Sequence, residues 1–188
     1  MRRSSYARDV EHAWYFAYGS NMQTATFRGR RGIDFARALP ARAPGWRLVL
    51  DKPPLLPIGE SYANIVPDAS SVVLGVAYEV PVDALRAIDL TEGVLIGNYE
   101  RRVIPVIRLA AGAEHLQAFT LTSERRDAAL YPSTRYMALL IDGAREHGLP
   151  DQYVEFLRGI PARPPSRTAE LFRKLIDGAM ALMKPPRG

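Results

Sequence analysis

The alternation of apolar and polar positions divides the chain into a front part of short strands and a back part of helices. Residues 14–18, Trp-Tyr-Phe-Ala-Tyr, form the short aromatic run expected of a buried strand. Gly19-Ser20-Asn21 breaks it with residues suited to starting a helix, and a turn or two of helix is expected up to residues 28–32. Residues 35–50 carry apolar pieces split by Pro40, Pro44 and Gly45, which predicts two strands or one bent strand. The run Lys52-Pro53-Pro54-Leu55-Leu56-Pro57-Ile58-Gly59 excludes regular structure. It reads as an exposed loop whose apolar residues are placed to line a pocket. Residues 63–66 and 71–80 read as two strands, the second strongly β-branched.

Pro81 opens a helix over 82–91, with apolar Val82, Leu85 and Ile88 on one face and a stop at Gly93. Residues 99–109 and 115–122 read as strands around a turn at 111–112. Helices are expected over 134–147 and 150–158, separated by Gly148-Leu149. A Pro-rich linker, 161–165, precedes an amphipathic helix over 168–183, in which Leu171, Leu175 and Ala179 recur at four-residue spacing. Clustered strands followed by helices argue for an α+β fold. The expected organisation is a loosely ordered N-terminal segment (1–13), one domain (14–160) and a C-terminal extension (161–188).

Composition narrows the function. The chain has 188 residues, 47% of them hydrophobic, enough for one compact domain with its own core. It holds no Cys, which excludes disulfides, thiolate metal sites and cysteine nucleophiles. The N-terminal stretch lacks the apolar run of a signal peptide, and no run of ~18 apolar residues is present. Neither a membrane partner nor a membrane span is expected, and a cytoplasmic location fits. The formal net charge is +5, nearly all of it from Arg, with lysines only at 52, 174 and 184. The basic residues are scattered apart from small clusters at Arg28/Arg30/Arg31 and Arg101/Arg102. Neither zinc-finger spacing nor a nucleic-acid motif accompanies them, so a solvated surface is expected and no nucleic-acid partner.

Two short stretches carry candidate chemistry. In Tyr18-Gly19-Ser20-Asn21 a strand ends at a Gly that permits a tight turn, leaving backbone N–H groups without partners. Such a nest binds a carboxylate or stabilises an oxyanion; an ordinary strand-to-helix turn has the same sequence. In Asp89-Leu90-Thr91-Glu92-Gly93, Glu92 lies at a helix C-terminus with Asp89 one turn back on the same face. Both the helix dipole and the second negative charge should raise the pKa of Glu92, as suits a general acid–base group. A solvated surface Glu is the plainer reading. His12, His115 and His147 share no metal-ligand spacing, so no metal is expected. His147 closes a predicted helix, where a cation is favoured. The serines fit neither a nucleophile elbow nor a Ser-x-x-Lys arrangement.

Together these pieces resemble the γ-glutamylcyclotransferase family. The residues carrying the resemblance are Tyr18-Gly19-Ser20-Asn21, Ala63-Asn64-Ile65-Val66-Pro67, and Glu92-Gly93-Val94 with Gly97 and Tyr99. Tyr131-Pro132-Ser133-Thr134-Arg135-Tyr136, Gly143-Ala144 and Gly148-Leu149-Pro150 follow in order, so that the match spans roughly residues 14–159. The resemblance implies a small mixed β-barrel with flanking helices and a substrate cavity at one end. It carries the catalytic role onto Glu92 and glutamyl binding onto Tyr18, Gly19, Ser20 and Asn21. It also brings Tyr99 and Tyr136 toward the cavity, although both read equally well as core aromatics. The implied reaction releases 5-oxoproline and an amine from a small γ-glutamyl substrate without a cofactor, and the resemblance is compatible with a homodimer. A non-catalytic module that binds a γ-glutamyl metabolite is the alternative; Glu92 argues against it. The glutathione-specific relatives carry a Trp shortly after their Tyr-Gly-Ser loop. Here Asn21-Met22-Gln23-Thr24 follows, which disfavours that subfamily. Residues 161–188 lie beyond the resemblance.

Overall fold

The computed structural model describes residues 10–110, 112–171, 174 and 175. Five strands close a barrel in the order β1-β3-β2-β4-β5: β1 (His12–Ala17), β2 (Arg37–Lys52), β3 (Tyr62–Pro81), β4 (Glu100–Arg108) and β5 (His115–Thr122). All neighbouring pairs are antiparallel except the closure, where β1 runs parallel to β5 with Trp14 opposite Ala118 and Tyr15 opposite Phe119. The expected mixed barrel with flanking helices is therefore what the chain forms.

Two expectations for the strands are corrected. Residues 63–66 and 71–80 belong to one strand, β3. The β2–β3 ladder pairs Pro44 with Val72 and then Trp46 with Pro67, so the polar stretch 68–71 is accommodated opposite Gly45 as a bulge. The polar break in the pattern is thus an irregularity within one ladder. Arg47 Nε donates to Asp68 Oδ2 at 3.0 Å, and Ser70 donates to Asp68 Oδ1, which ties the bulge locally. At the other end, β1 takes in His12 and Ala13, which the pattern had left in the N-terminal segment. His12 and Ala13 pair with Pro81 and Val80; pairing is a backbone matter and runs past the apolar run. The remainder of that segment, 1–9, lies outside the described residues.

The barrel is tight where it faces its neighbours. At Gly75 in β3 a Cβ would stand 2.3 Å from the Ala17 carbonyl oxygen and 2.8 Å from the Phe16 ring. Only glycine lets β3 approach β1 that closely. Helices α1 (Ala84–Glu92), α2 (Thr134–Glu146) and α3 (Asp151–Arg158) flank the barrel. Ser133 caps α2 by accepting from the Tyr136 N–H at 3.2 Å. Helix α3 docks on β3 through the Tyr153 hydroxyl, which donates to the Leu74 carbonyl at 3.0 Å. His147 ends α2, but not as a cation. Burial lowers its pKa, and its Nε2 lies 3.0 Å from the Tyr78 hydroxyl, which itself donates to the Met22 carbonyl at 2.7 Å.

Most of the amphipathic helix expected over 168–183 lies outside the described residues. Helix is present at 167–171 and 174–175. Ser166 starts it by accepting from the Ala169 N–H at 3.0 Å while its own hydroxyl donates to the Ile58 carbonyl at 2.9 Å. Ala169 is buried against the domain, whereas Leu171 and Leu175, expected on the docked face, are exposed. Among the described residues, the first turn is tied down at its cap. Among the described residues no helix is long and apolar enough to cross a membrane.

Candidate active site

One end of the barrel opens into a cavity of about 920 Å³. Its walls include Tyr18, Gly19, Ser20, Asn21, Glu92, Tyr99 and Tyr136, every residue singled out from the sequence, drawn from four separate stretches of chain. The loop after β2 contributes Pro54, Leu55, Leu56 and Ile58 to the rim, as the apolar loop predicted.

The turn after β1 is built by backbone bonds. Residues Ser20–Met22 form a 3₁₀ turn and Ala25–Arg30 a short π-helix. The Met22 and Gln23 N–H groups bond the carbonyls of Gly19 and Ser20 at 3.0 and 3.2 Å. The N–H groups of Ser20 and Asn21, at the start of such a turn, have no carbonyl within it to bond. Gly19 does not supply the conformational freedom expected of it: its φ is −113°, open to any residue. What a side chain there would meet is crowding, since a Cβ would stand 3.1 Å from the Tyr136 hydroxyl oxygen and 3.3 Å from the Ala63 Cβ, and these neighbours would have to give way. Gly143 in α2 acts alike, because a Cβ there would meet the Gln23 nitrogen at 2.6 Å. Two glycines thus let α2 press the turn against the cavity.

Glu92 is the last residue of α1, and Gly93 ends the helix in the left-handed conformation (φ 71°). Its Oε1 accepts from Asn21 Nδ2 at 2.8 Å and pairs with Arg31 Nη2 at 2.8 Å. Among the described residues neither the hydrogen bonds nor the salt bridges engage Oε2. Asp89, expected as a negative neighbour of Glu92, makes an ion pair of its own. It is paired with Arg101 of β4, and the group beside Glu92 is the Arg31 guanidinium. A carboxylate only accepts, so the Asn21 amide nitrogen must face it. The same Nδ2 also donates to the Tyr15 hydroxyl at 3.2 Å, and Asn21 Oδ1 is left buried without a partner.

The tyrosines are anchored to the barrel backbone. The Tyr18 hydroxyl donates to the Leu121 carbonyl and the Tyr99 hydroxyl to the Ala63 carbonyl at 3.0 Å. The Tyr136 hydroxyl accepts from the Ala63 N–H at 3.1 Å, which keeps its own proton available to donate. Burial drives the pKa of Tyr15, Tyr18, Tyr99 and Tyr136 upward, with the charge of Glu92 adding to each shift. All four therefore stay protonated at neutral pH. Tyr99 and Tyr136 are both core aromatics and cavity residues.

Sequence reasoning missed three residues. Arg31 was grouped with a basic surface cluster, yet it is the ion-pair partner of Glu92. Its position ten residues after Asn21, just beyond the candidate loop, was the available signal. Lys52 was placed in an exposed loop but is 1% exposed. Asn98 went unremarked, though its Nδ2 donates to the Glu92 carbonyl at 2.8 Å, its N–H to the Gly93 carbonyl at 2.9 Å, and its Oδ1 accepts from Lys52 and Arg125. Of the four buried side-chain polar atoms without a hydrogen bond among the described residues, three belong to cavity residues: Asn21 Oδ1, Arg31 Nε and Glu60 Oε1. Native structures rarely leave such groups unpaired.

Comparison with known proteins agrees with this geometry. Residues 72–157 match the AIG2-like family. The chain is 33% identical to the γ-glutamyl cyclotransferase aclK of Aspergillus oryzae over 178 residues, covering 84% of this chain and 65% of the length of that protein. It is 26% identical to the human γ-glutamylcyclotransferase over 185 residues, covering 90% of this chain and 88% of the human one. A solved structure of a γ-glutamyl cyclotransferase superposes with a TM-score of 0.71 at 23% identity, over 87% of this chain and 99% of that one, which shows the shared fold. By its barrel and by these likenesses, the chain resembles the γ-glutamylcyclotransferase-like, or AIG2-like, proteins.

Proposed function

We propose that the protein is a γ-glutamyl cyclotransferase, with Glu92 as general base and then general acid. The observation that carries this reading is the carboxylate at the cavity wall, fixed through Oε1 by Asn21 and Arg31 and bearing a second oxygen outside that pairing. Relatives bearing the name γ-glutamyl cyclotransferase support it.

The reaction is an intramolecular aminolysis. The α-amine of the glutamyl group attacks its own γ-carbonyl, a new C–N bond closes the five-membered ring, and the amide bond to the leaving amine breaks. Glu92 Oε2 takes the proton that the attacking nitrogen sheds and returns it to the departing nitrogen. Asn21 Oδ1, the buried acceptor without a partner, takes a second N–H of the α-amine and aims its lone pair. The Asn21 N–H and the Tyr136 hydroxyl, itself held by the Ala63 and Ser20 N–H groups, are the donors for the oxygen that gains negative charge as the carbonyl becomes tetrahedral. Holding the folded-back rotamer of the flexible glutamyl chain supplies the rest, with effective molarities of well-oriented intramolecular reactions reaching roughly 10⁵ M or more. This chemistry calls for no cofactor.

Incubation with a panel of γ-glutamyl amides releases free amine and 5-oxoproline, detectable by mass spectrometry. Glu92→Gln keeps the hydrogen-bonding shape but cannot carry the proton, so the rate falls by at least ~10²-fold while the melting curve stays close to that of the parent. Near-parental turnover by this variant would remove Glu92 from the mechanism.

A further inference from the structure

One cation in the cavity wall has no carboxylate partner. Lys52 ends β2, is 1% exposed and lines the cavity. Its ammonium donates to Asn98 Oδ1 and lies 4.3 Å from the centroid of the Tyr99 ring. Arg125 Nη1 donates to the same amide oxygen at 3.1 Å, and Arg125 Nη2 to the Pro54 carbonyl at 3.0 Å. Two cations thus share one neutral acceptor, and among the described residues neither enters a salt bridge. Asn98 offers no counter-charge, and its amide nitrogen is already committed to the Glu92 carbonyl.

Burying an ammonium without a paired opposing charge is costly; the charge of Glu92 is felt at Lys52, but that carboxylate is itself paired with Arg31. Burial first, and Arg125 next, bring the pKa of Lys52 down to about 8, which leaves it mostly protonated at pH 7. A lysine that merely tied Asn98 in place could do so as an amide or a hydroxyl of suitable length. A charge held in the cavity wall between an aromatic face and an arginine is a receptor for an anion.

We propose that Lys52 is a specificity-determining residue that receives a carboxylate of the substrate in the cavity, with Asn98 and the Tyr99 ring holding the ammonium in place for it. The proposal rests on the γ-glutamyl reading above. A γ-glutamyl amino acid has two carboxylates, one on the glutamyl α-carbon and one on the departing residue; either has the required chemistry.

Three unreactive probes separate the two sources, because without an α-amine none can cyclise. Glutarylglycine keeps both carboxylates, glutaryl methylamide keeps only the one at the glutamyl end, and butyrylglycine only the one on the leaving side. Dissociation constants are measured for the parent, Lys52→Met and Lys52→Gln, with melting curves for each; Gln retains a donor for Asn98 and removes only the charge. If Lys52 reads the glutamyl carboxylate, both variants bind glutarylglycine and glutaryl methylamide at least ~tenfold more weakly and butyrylglycine unchanged, in line with coupling between close charge pairs. If it reads the leaving-side carboxylate, glutarylglycine and butyrylglycine weaken and glutaryl methylamide does not. Equal weakening of all three probes, no weakening of any, or no binding of any by the parent overturns the proposal. Release of 5-oxoproline from γ-glutamyl amides is scored separately, so loss of the cyclotransferase reading and loss of the Lys52 subsite give different results.

Discussion

The floor and the rim of the cavity are built in opposite ways. On the floor, Tyr18, Asn21, Tyr99 and Tyr136 are buried or nearly so, and each makes a hydrogen bond to a distant part of the chain. On the rim, Leu55 and Leu56 are 47% and 46% exposed and sit in a loop interrupted by prolines. A reacting carboxylate must be held within a fraction of an ångström, which the floor achieves by fixing Glu92 from two elements at once. A rim of exposed apolar side chains imposes little geometry and covers whatever departs. The division suggests that chemistry is written on the floor and tolerance for the leaving amine on the rim.

Three variants break or sharpen that contrast. The largest effect is expected from Gly19→Val, which forces side-chain atoms into the space beside the Tyr136 hydroxyl and Ala63. Displacing the turn by about 1 Å costs up to ~10²-fold in kcat/KM. The comparison is activity per folded molecule beside the melting curve, and unchanged activity would make the turn purely structural. Asn21→Ala comes next. It removes one hydrogen bond to Glu92 and the free Oδ1, and loss of a bond to a charged group, roughly 2 kcal/mol, corresponds to about thirtyfold in kcat/KM. A fall below threefold would detach Asn21 from the reacting groups. Smallest is Leu55→Ala with Leu56→Ala. Exposed positions of this kind shift stability by about 0.5 kcal/mol or less each. KM for γ-glutamyl compounds with bulky apolar leaving groups should rise a few-fold, and KM for the smallest leaving groups should stay put. An equal change for both classes would mean that the loop does not contact the departing amine.

Much of the floor was legible in the sequence, and the reasons are local. Gly93 marks the end of α1 because only the left-handed conformation closes the helix there, and that places Glu92. Strand β5 has the bounds that its alternating pattern predicts. What escaped was created by contacts between distant segments. Arg31 and Glu92 are far apart in sequence, and no periodicity announces a cross-chain ion pair. Lys52 is buried at the end of β2, where a register irregularity between Val49 and Lys52 breaks the alternation that would have placed it. The wrong reason for Gly19 has the same origin. Its backbone is ordinary, and only the packed position of Tyr136 shows that the missing Cβ is what counts. The ion pair of Asp89 with Arg101, on another strand, was equally invisible in the sequence.

The most direct test of the central claim is the identity of the acyl product. A γ-glutamyl amide is incubated with the protein, and the products are quantified by mass spectrometry against the free amine. Intramolecular attack by the α-amine predicts one 5-oxoproline for each amine released and no glutamate beyond the level without protein. Glutamate in place of 5-oxoproline would show that water is the nucleophile, and release of neither from any γ-glutamyl amide would show that Glu92 and its cavity serve another reaction.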